Sequence, residues 1–164
     1  MNADPAPITY QIKFLDAILH HSFAAPLPNE HEHEHTGLRA NIQVNIYQNQ
    51  VQALLQVEYI LIIDEETHEG YGLNFGILGS LEAPKEMPQE ELADYAKIYS
   101  LSFLWPYARE YSSSLIRRMS INAVPLPIIN PQTMTKMMVD EGLVQVDILD
   151  NRPSRNTTTG VNER

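Results

Sequence analysis

The chain has no cysteine. That excludes a disulfide framework, a thiolate metal site and a cysteine nucleophile, and it fits a reducing compartment. Basic residues are scarce: 11 Lys and Arg stand against 21 Asp and Glu, a formal net charge of -10. A nucleic-acid surface needs clustered cations to displace counterions, so that class is set aside. A partner with basic patches is permitted, and the charge favours solubility. Long apolar runs are also missing. The longest, residues 59–63, is far too short to span a bilayer. Residues 1–7 lack the basic and apolar regions of a signal peptide. A cytoplasmic protein without membrane insertion is expected. No phosphate loop, HExxH, GxSxG or glycine fingerprint after a strand occurs. The reading is therefore a non-enzyme that needs no cofactor.

What is present suits one domain: 164 residues, 43% of them hydrophobic. Residues 8–14 alternate as a strand does, with Ile8, Tyr10, Ile12 and Phe14 on one face. The pattern slips over residues 15–19, as a bulge or bend would make it. Prolines 26 and 28 end the element. Residues 38–48 alternate cleanly, 51–63 form a third strand, and the glycine-rich 70–81 a fourth. Residues 49–50 are the turn candidate between the second and third. Short connections favour antiparallel hairpins.

Pro88 then opens a long helix over residues 89–119, with Glu90 and Glu91 at its positive end and Arg117 and Arg118 at its negative end. Leu92, Tyr95, Ala96 and Tyr99 form one apolar stripe, and Ala108, Tyr111, Leu115 and Met119 another. Pro106 lies between them, so a kink or a restart is expected there. Asn130 followed by Pro131 caps a short second helix that Gly142 can stop. Residues 143–149 alternate weakly. The fold class is α+β: a four-stranded antiparallel sheet with a long kinked helix and a short helix packed on one side. Residues 1–149 are the domain, and the polar stretch 150–164 reads as a disordered tail.

The run Phe103-Leu104-Trp105-Pro106-Tyr107-Ala108-Arg109-Glu110, then Ser112-Ser113-Ser114-Leu115, then Val124-Pro125-Leu126-Pro127-Ile128-Ile129-Asn130 resembles the bacterial export chaperone SecB family. Tyr10-Gln11-Ile12, Ser22-Phe23-Ala24-Ala25-Pro26 and Gly76-Ile77-Leu78 look like that family's first and fourth strands. The resemblance spans residues 9–141, and its helix block is the specific part. It implies an ATP-independent holdase that binds unfolded or precursor proteins in apolar grooves. It also implies a homotetramer, a dimer of dimers built on strand edges and long helices. Handover of the client to the translocation ATPase SecA would follow. The chain departs from the pattern at the acidic positions expected to dock that ATPase: His20, Ala24 and Tyr71 stand there. Relatives that serve toxin–antitoxin pairs hold an antitoxin instead, which is the alternative reading.

For the client groove, the candidates are Phe75, Ile77, Leu78, Leu81, Met87, Phe103, Met134 and Met138, with Met137 adding adaptable surface. An aromatic stripe at helical spacing is equally what plain core looks like. Trp105, Pro106, Tyr107, Arg109 and Glu110 are expected to seat the long helix on the sheet and against a neighbouring subunit. Arg109-Glu110 is either a catalytic pair or an ion pair, and no cleft partner favours the former. His31, His33 and His35 could bind zinc or nickel from extended chain. Glu32 and Glu34 would project to the opposite side, and no capping acid or water-activating partner is placed nearby, which favours a solvated loop.

Overall fold

The sheet follows chain order only in its middle. A computed structural model describes residues 11–28, 36–64, 66–67 and 69–149. The elements run β1 (Lys13–Pro26), β2 (Gly37–Tyr47), β3 (Gln50–Asp64), β4 (Glu69–Glu82), α1 (Gln89–Arg118), α2 (Pro131–Asp140) and β5 (Val144–Ile148). Across the sheet the order is β1-β4-β3-β2-β5. Four antiparallel strands were expected; a fifth, β5, lies parallel to β2 along Ile42–Ile46. The sheet is therefore mixed. The expected tail 150–164 and His31, His33 and His35 lie outside the described residues.

Alternation decides which side each strand hides. In β2, β3 and β4 the residues of one parity are buried: Ile42, Val44 and Ile46, then Leu55, Val57 and Leu61, then Leu73, Phe75 and Ile77. Their neighbours Asn41, Gln43, Gln52, Glu58 and Asn74 face solvent on the other side. The β2–β3 connection needs only Gln48 and Asn49, because Tyr47 already pairs with Gln50. Gln48 takes φ 55 there, a conformation that side chains rarely adopt. The turn is pinned from outside: Asn49 Nδ2 donates to the Ala83 carbonyl at 2.9 Å and Ala83 N–H donates to the Asn49 carbonyl at 2.8 Å. In β1 the expected slip is present as two register shifts, between Phe14 and Asp16 and between Leu19 and His21. The strand runs on to Pro26 and ends there, at the first of the two prolines.

α1 runs as one continuous helix through Pro106. The restart is therefore absent, and the two stripes follow from how burial winds around the helix. The buried positions Leu92, Ala96, Ser100, Leu104, Ala108, Ser112 and Ile116 recur every four residues. Each four-residue step overshoots a turn by about 40°, so the stripe winds roughly 240° around the helix over its length. The N-terminal half is therefore buried from one side and the C-terminal half from another. Pro106 itself is exposed, and its missing N–H breaks a single bond of the ladder. Ser100 Oγ and Ser112 Oγ donate back to the carbonyls of Ala96 and Arg109 at 2.6 and 3.0 Å, so their burial strands no donor. Gly79 lets the helix sit close, since a Cβ there would lie 2.4 Å from Leu104 Cδ2. Among the described residues, no helix is long and apolar enough to cross a membrane.

Candidate client-binding groove

The site begins where α1 stops. Ser120 takes φ 55, Ser120 N–H reaches the Arg117 carbonyl and Ile121 N–H the Ile116 carbonyl, at 3.2 and 3.3 Å. This is the Schellman pattern with serine in place of glycine. It throws the chain into an extended crossover, residues 121–130, in which Pro125 and Pro127 cannot donate hydrogen bonds. Their neighbours' carbonyls are instead met by side chains of the long helix and of β3. Trp105 Nε1 donates to the Pro127 carbonyl at 3.2 Å. Arg109 Nε donates to the Leu126 carbonyl at 3.0 Å. Ser112 Oγ accepts from Leu126 N–H at 3.4 Å, and Tyr59 Oη donates to the Val124 carbonyl at 3.0 Å. Leu126 is fully buried at the centre of this clasp. Val124 and Ile128, on either side, are 73% and 84% exposed. The aromatic and arginine residues of the helix block thus hold the crossover in place. Arg109 commits its Nε–H to the Leu126 carbonyl.

Burial pushes the Tyr59 phenol above its ordinary value of 10.0. The neutral form is the one the fold favours, so its contribution is full below pH 10 and is lost as pH rises through the raised value. Stability is expected to fall on the alkaline side of pH 10. Urea midpoints measured across that range should decline less steeply in Tyr59→Phe, which has no proton to lose.

The crossover delivers the chain to α2. Asn130 Oδ1 accepts from the N–H groups of Gln132 and Thr133, at 3.0 and 3.3 Å, and Pro131 occupies the first helical position. Gly142, at φ 72, closes the helix: its N–H reaches Val139 and the Leu143 N–H reaches Met138. The Leu143 carbonyl then accepts from Ile42 N–H at 2.8 Å, which starts β5 on the β2 edge. Between α2 and the sheet lies a groove of about 550 Å³. Met134, Met137 and Leu143 form one wall, and Leu38, Ala40 and Val57 contribute to the other. Asn41, Gln56 and Asn74 extend it over the polar sheet face, with Arg39 and Glu58 paired at 3.9 Å in solvent. Thioethers and open polar rims make an adaptable apolar surface with no fixed geometry for one ligand.

The sequence candidates divide. Met134 and Met138 line this groove, although Met138 is almost wholly buried. Phe75, Leu81 and Met87 are core, on the sheet face and strand exit that α1 covers, and Ile77, though buried, borders a second hollow with Leu19 and Tyr111 between β1 and α1. Leu78 is half-buried on the opposite face, in register with Ile18 and Leu54. Phe103 lies elsewhere, in a seam between α1 and β1, where Phe14 stacks on it and on Tyr107 with centroids 5.7 Å apart. Pro106, Tyr107 and Glu110 line that seam as well. The groove residues that sequence reasoning missed are Leu38, Ala40 and Leu143. Only their position at the ends of elements marks them. Among the described residues, no group of three His, Asp or Glu gathers to hold a metal. His20 and His21 meet Nδ1 to Nδ1 at 3.0 Å, and His21 Nε2 lies 3.2 Å from Asn74 Oδ1.

A mixed sheet with one face under a long helix, and a groove where a second helix meets the sheet edge, defines an α+β fold. Its particular form is that of the SecB-like chaperones. The SecB-like chaperone of Mycobacterium tuberculosis, solved with a ChAD peptide from the HigA1 antitoxin, superposes with a TM-score of 0.60 at 20% identity, covering 73% of this chain and 91% of that one. A protein of unknown function from Streptococcus agalactiae matches at a TM-score of 0.39 and 12% identity, over 74% of this chain and all of that one. No protein-family model and no curated protein matches the chain.

Proposed function

We propose that this chain is an ATP-independent holdase, not an enzyme, that keeps an unfolded client segment in the α2 groove. The observation that carries this is the methionine wall beside an open stretch of sheet edge, on a SecB-like scaffold. Each apolar client side chain that enters such a groove contributes on the order of 1–3 kcal/mol, enough in sum to hold a chain and too little singly to fix one sequence. A cytoplasmic place in protein export goes with the reading, and so does a homotetramer. In support of assembly, β1 is an edge strand with Leu15, Ile18, Leu19 and Phe23 exposed, Phe23 to 66%. A lone sheet edge of that kind is a liability unless another chain covers it.

The test is light scattering from a chemically denatured client diluted into buffer without ATP. Near-equimolar chain should suppress aggregation, and its own mass should be close to four subunits of 18.7 kDa. A monomer that leaves aggregation unchanged overturns the proposal. One further observation favours an antitoxin over export precursors as the client. The Mycobacterium tuberculosis neighbour was solved with an antitoxin peptide, while His20, Ala24 and Tyr71 stand where acidic docking residues for SecA are expected. Binding measured against purified SecA and against the products of neighbouring genes separates the two.

A further inference from the structure

β1 carries one residue more than β4 at its centre. Leu19 pairs with Ile77 and His21 with Gly76, so His20 is left over as a bulge. In an unbroken strand, neighbouring side chains leave on opposite faces. The bulge cancels that alternation and brings two imidazoles together. Their Nδ1 atoms meet at 3.0 Å, with the ring planes 85° apart. Gly76 makes the room: a Cβ there would lie 2.5 Å from His21 Cε1 and 2.8 Å from its Nδ1. Asn74, two residues earlier in β4, holds the far side of the ring, with its Oδ1 3.2 Å from His21 Nε2. An amide oxygen only accepts, so Nε2 carries the proton and the Nδ1 lone pair of His21 is turned to His20. Neither the crossover clasp nor the α2 groove uses this cluster.

We infer that His20 and His21 form a binding site for a divalent transition-metal ion of square-planar or tetragonal preference, copper or nickel, held through both Nδ1 atoms. Asn74 does for His21 what outer partners do in metal centres: it fixes the tautomer and the ring, so that one nitrogen is always a free ligand. The spacing selects the geometry. Two bonds of about 2 Å meeting at a right angle set the nitrogens about 2.9 Å apart, whereas a tetrahedral ion sets them about 3.3 Å apart. The 3.0 Å separation fits the first. Imidazole suits copper and nickel, and the affinity order of divalent ions places copper above both nickel and zinc. On binding, the proton between the two nitrogens passes to His20 Nε2, which costs little because His20 is exposed. Two protein ligands leave the other positions to water, so the ion is exchangeable. It ties both residues of the bulge together and stiffens the edge strand.

Paramagnetic copper tests the site on the full chain, free of any added histidine tag and with His31, His33 and His35 replaced by alanine so that they do not compete. Substoichiometric Cu²⁺ should broaden the amide NMR signals of His20, His21 and Gly76 first and leave those of α2 sharp. In calorimetric titrations, His20→Ala and His21→Ala should each weaken binding at least about tenfold, and Asn74→Ala about tenfold with both ligands still in place. Cu²⁺ should be held at least about tenfold more tightly than Zn²⁺, with Ni²⁺ at the same residues. His20 is exposed, so His20→Ala should keep the urea midpoint, and it carries the test alone if His21→Ala fails to fold. Affinity unchanged in His20→Ala overturns the site, and so does broadening that begins elsewhere in the chain. Zinc held as tightly as copper overturns it too, because the spacing then selects no geometry.

Discussion

Phe75→Ala is expected to cost about 3–5 kcal/mol of unfolding free energy, the range for removing a buried aromatic side chain from a packed core. The ring lies in β4 between two other strands, opposite Val57 on β3 and Ser22 on β1. It is fully buried and packs against Tyr111 of α1 with centroids 5.0 Å apart. No neighbour is free to collapse into the space, because both flanking strands are fixed by their ladders. A urea denaturation series measures the loss. A change under about 0.5 kcal/mol, the range of surface substitutions, would mean that Phe75 looks outward and would return it to the client groove.

Met137→Gln should do the reverse. Met137 is 52% exposed on α2, and glutamine is as good a helix former, so the unfolding free energy should move by less than about 0.5 kcal/mol. In the groove, however, this thioether is expected to be covered when a client binds. Replacing it with an amide should weaken peptide binding by about 1–2 kcal/mol, roughly five- to thirtyfold. Fluorescence anisotropy of a labelled apolar peptide reads that loss. Equal affinity in the variant would exclude Met137 from the binding surface and move the search to the β1–α1 seam. The two substitutions together separate core from groove: one removes stability and the other removes binding.

Much of this fold is written in local pattern. The alternation of Ile42, Val44 and Ile46 and of Leu73, Phe75 and Ile77 specifies strands with one covered face, and the structure has them within a residue or so of where the pattern ends. Asn130-Pro131 and Gly142 mark α2 at both ends. β5 is less legible. Five residues with apolar Val144, Val146 and Ile148 carry too little pattern to name a partner, and the pairing is decided by where α2 sets the chain down. Pro106 does not restart the helix, and its flanking stripes fall on different sides because burial winds around α1. The candidate site divides along the same line. Parity along β4 separates Phe75, Ile77 and Leu81 from Asn74, Ser80 and Glu82, and this parity assigns the first group to the core. The methionines of α2 are visible in the sequence as adaptable surface. The β2 edge they face is not, because an unpaired backbone leaves no mark on residue type.

The strand order also fixes a sequence of events in time. Tyr47 and Gln50 close the β2–β3 hairpin across two residues, whereas Pro26 waits for Tyr71 and Lys13 for Glu82. Loop-closure entropy makes such distant pairings slow, so β2, β3 and β4 can assemble before β1 joins them. During synthesis β1 emerges before the other three strands of the antiparallel part and joins them after they have paired with one another. Until β4 has emerged, the β1 residues that end up against the core, Phe14, Ala17 and Ala24, travel as uncovered apolar chain. The nascent protein therefore passes through the condition that a holdase, as proposed for its finished groove, would relieve in others.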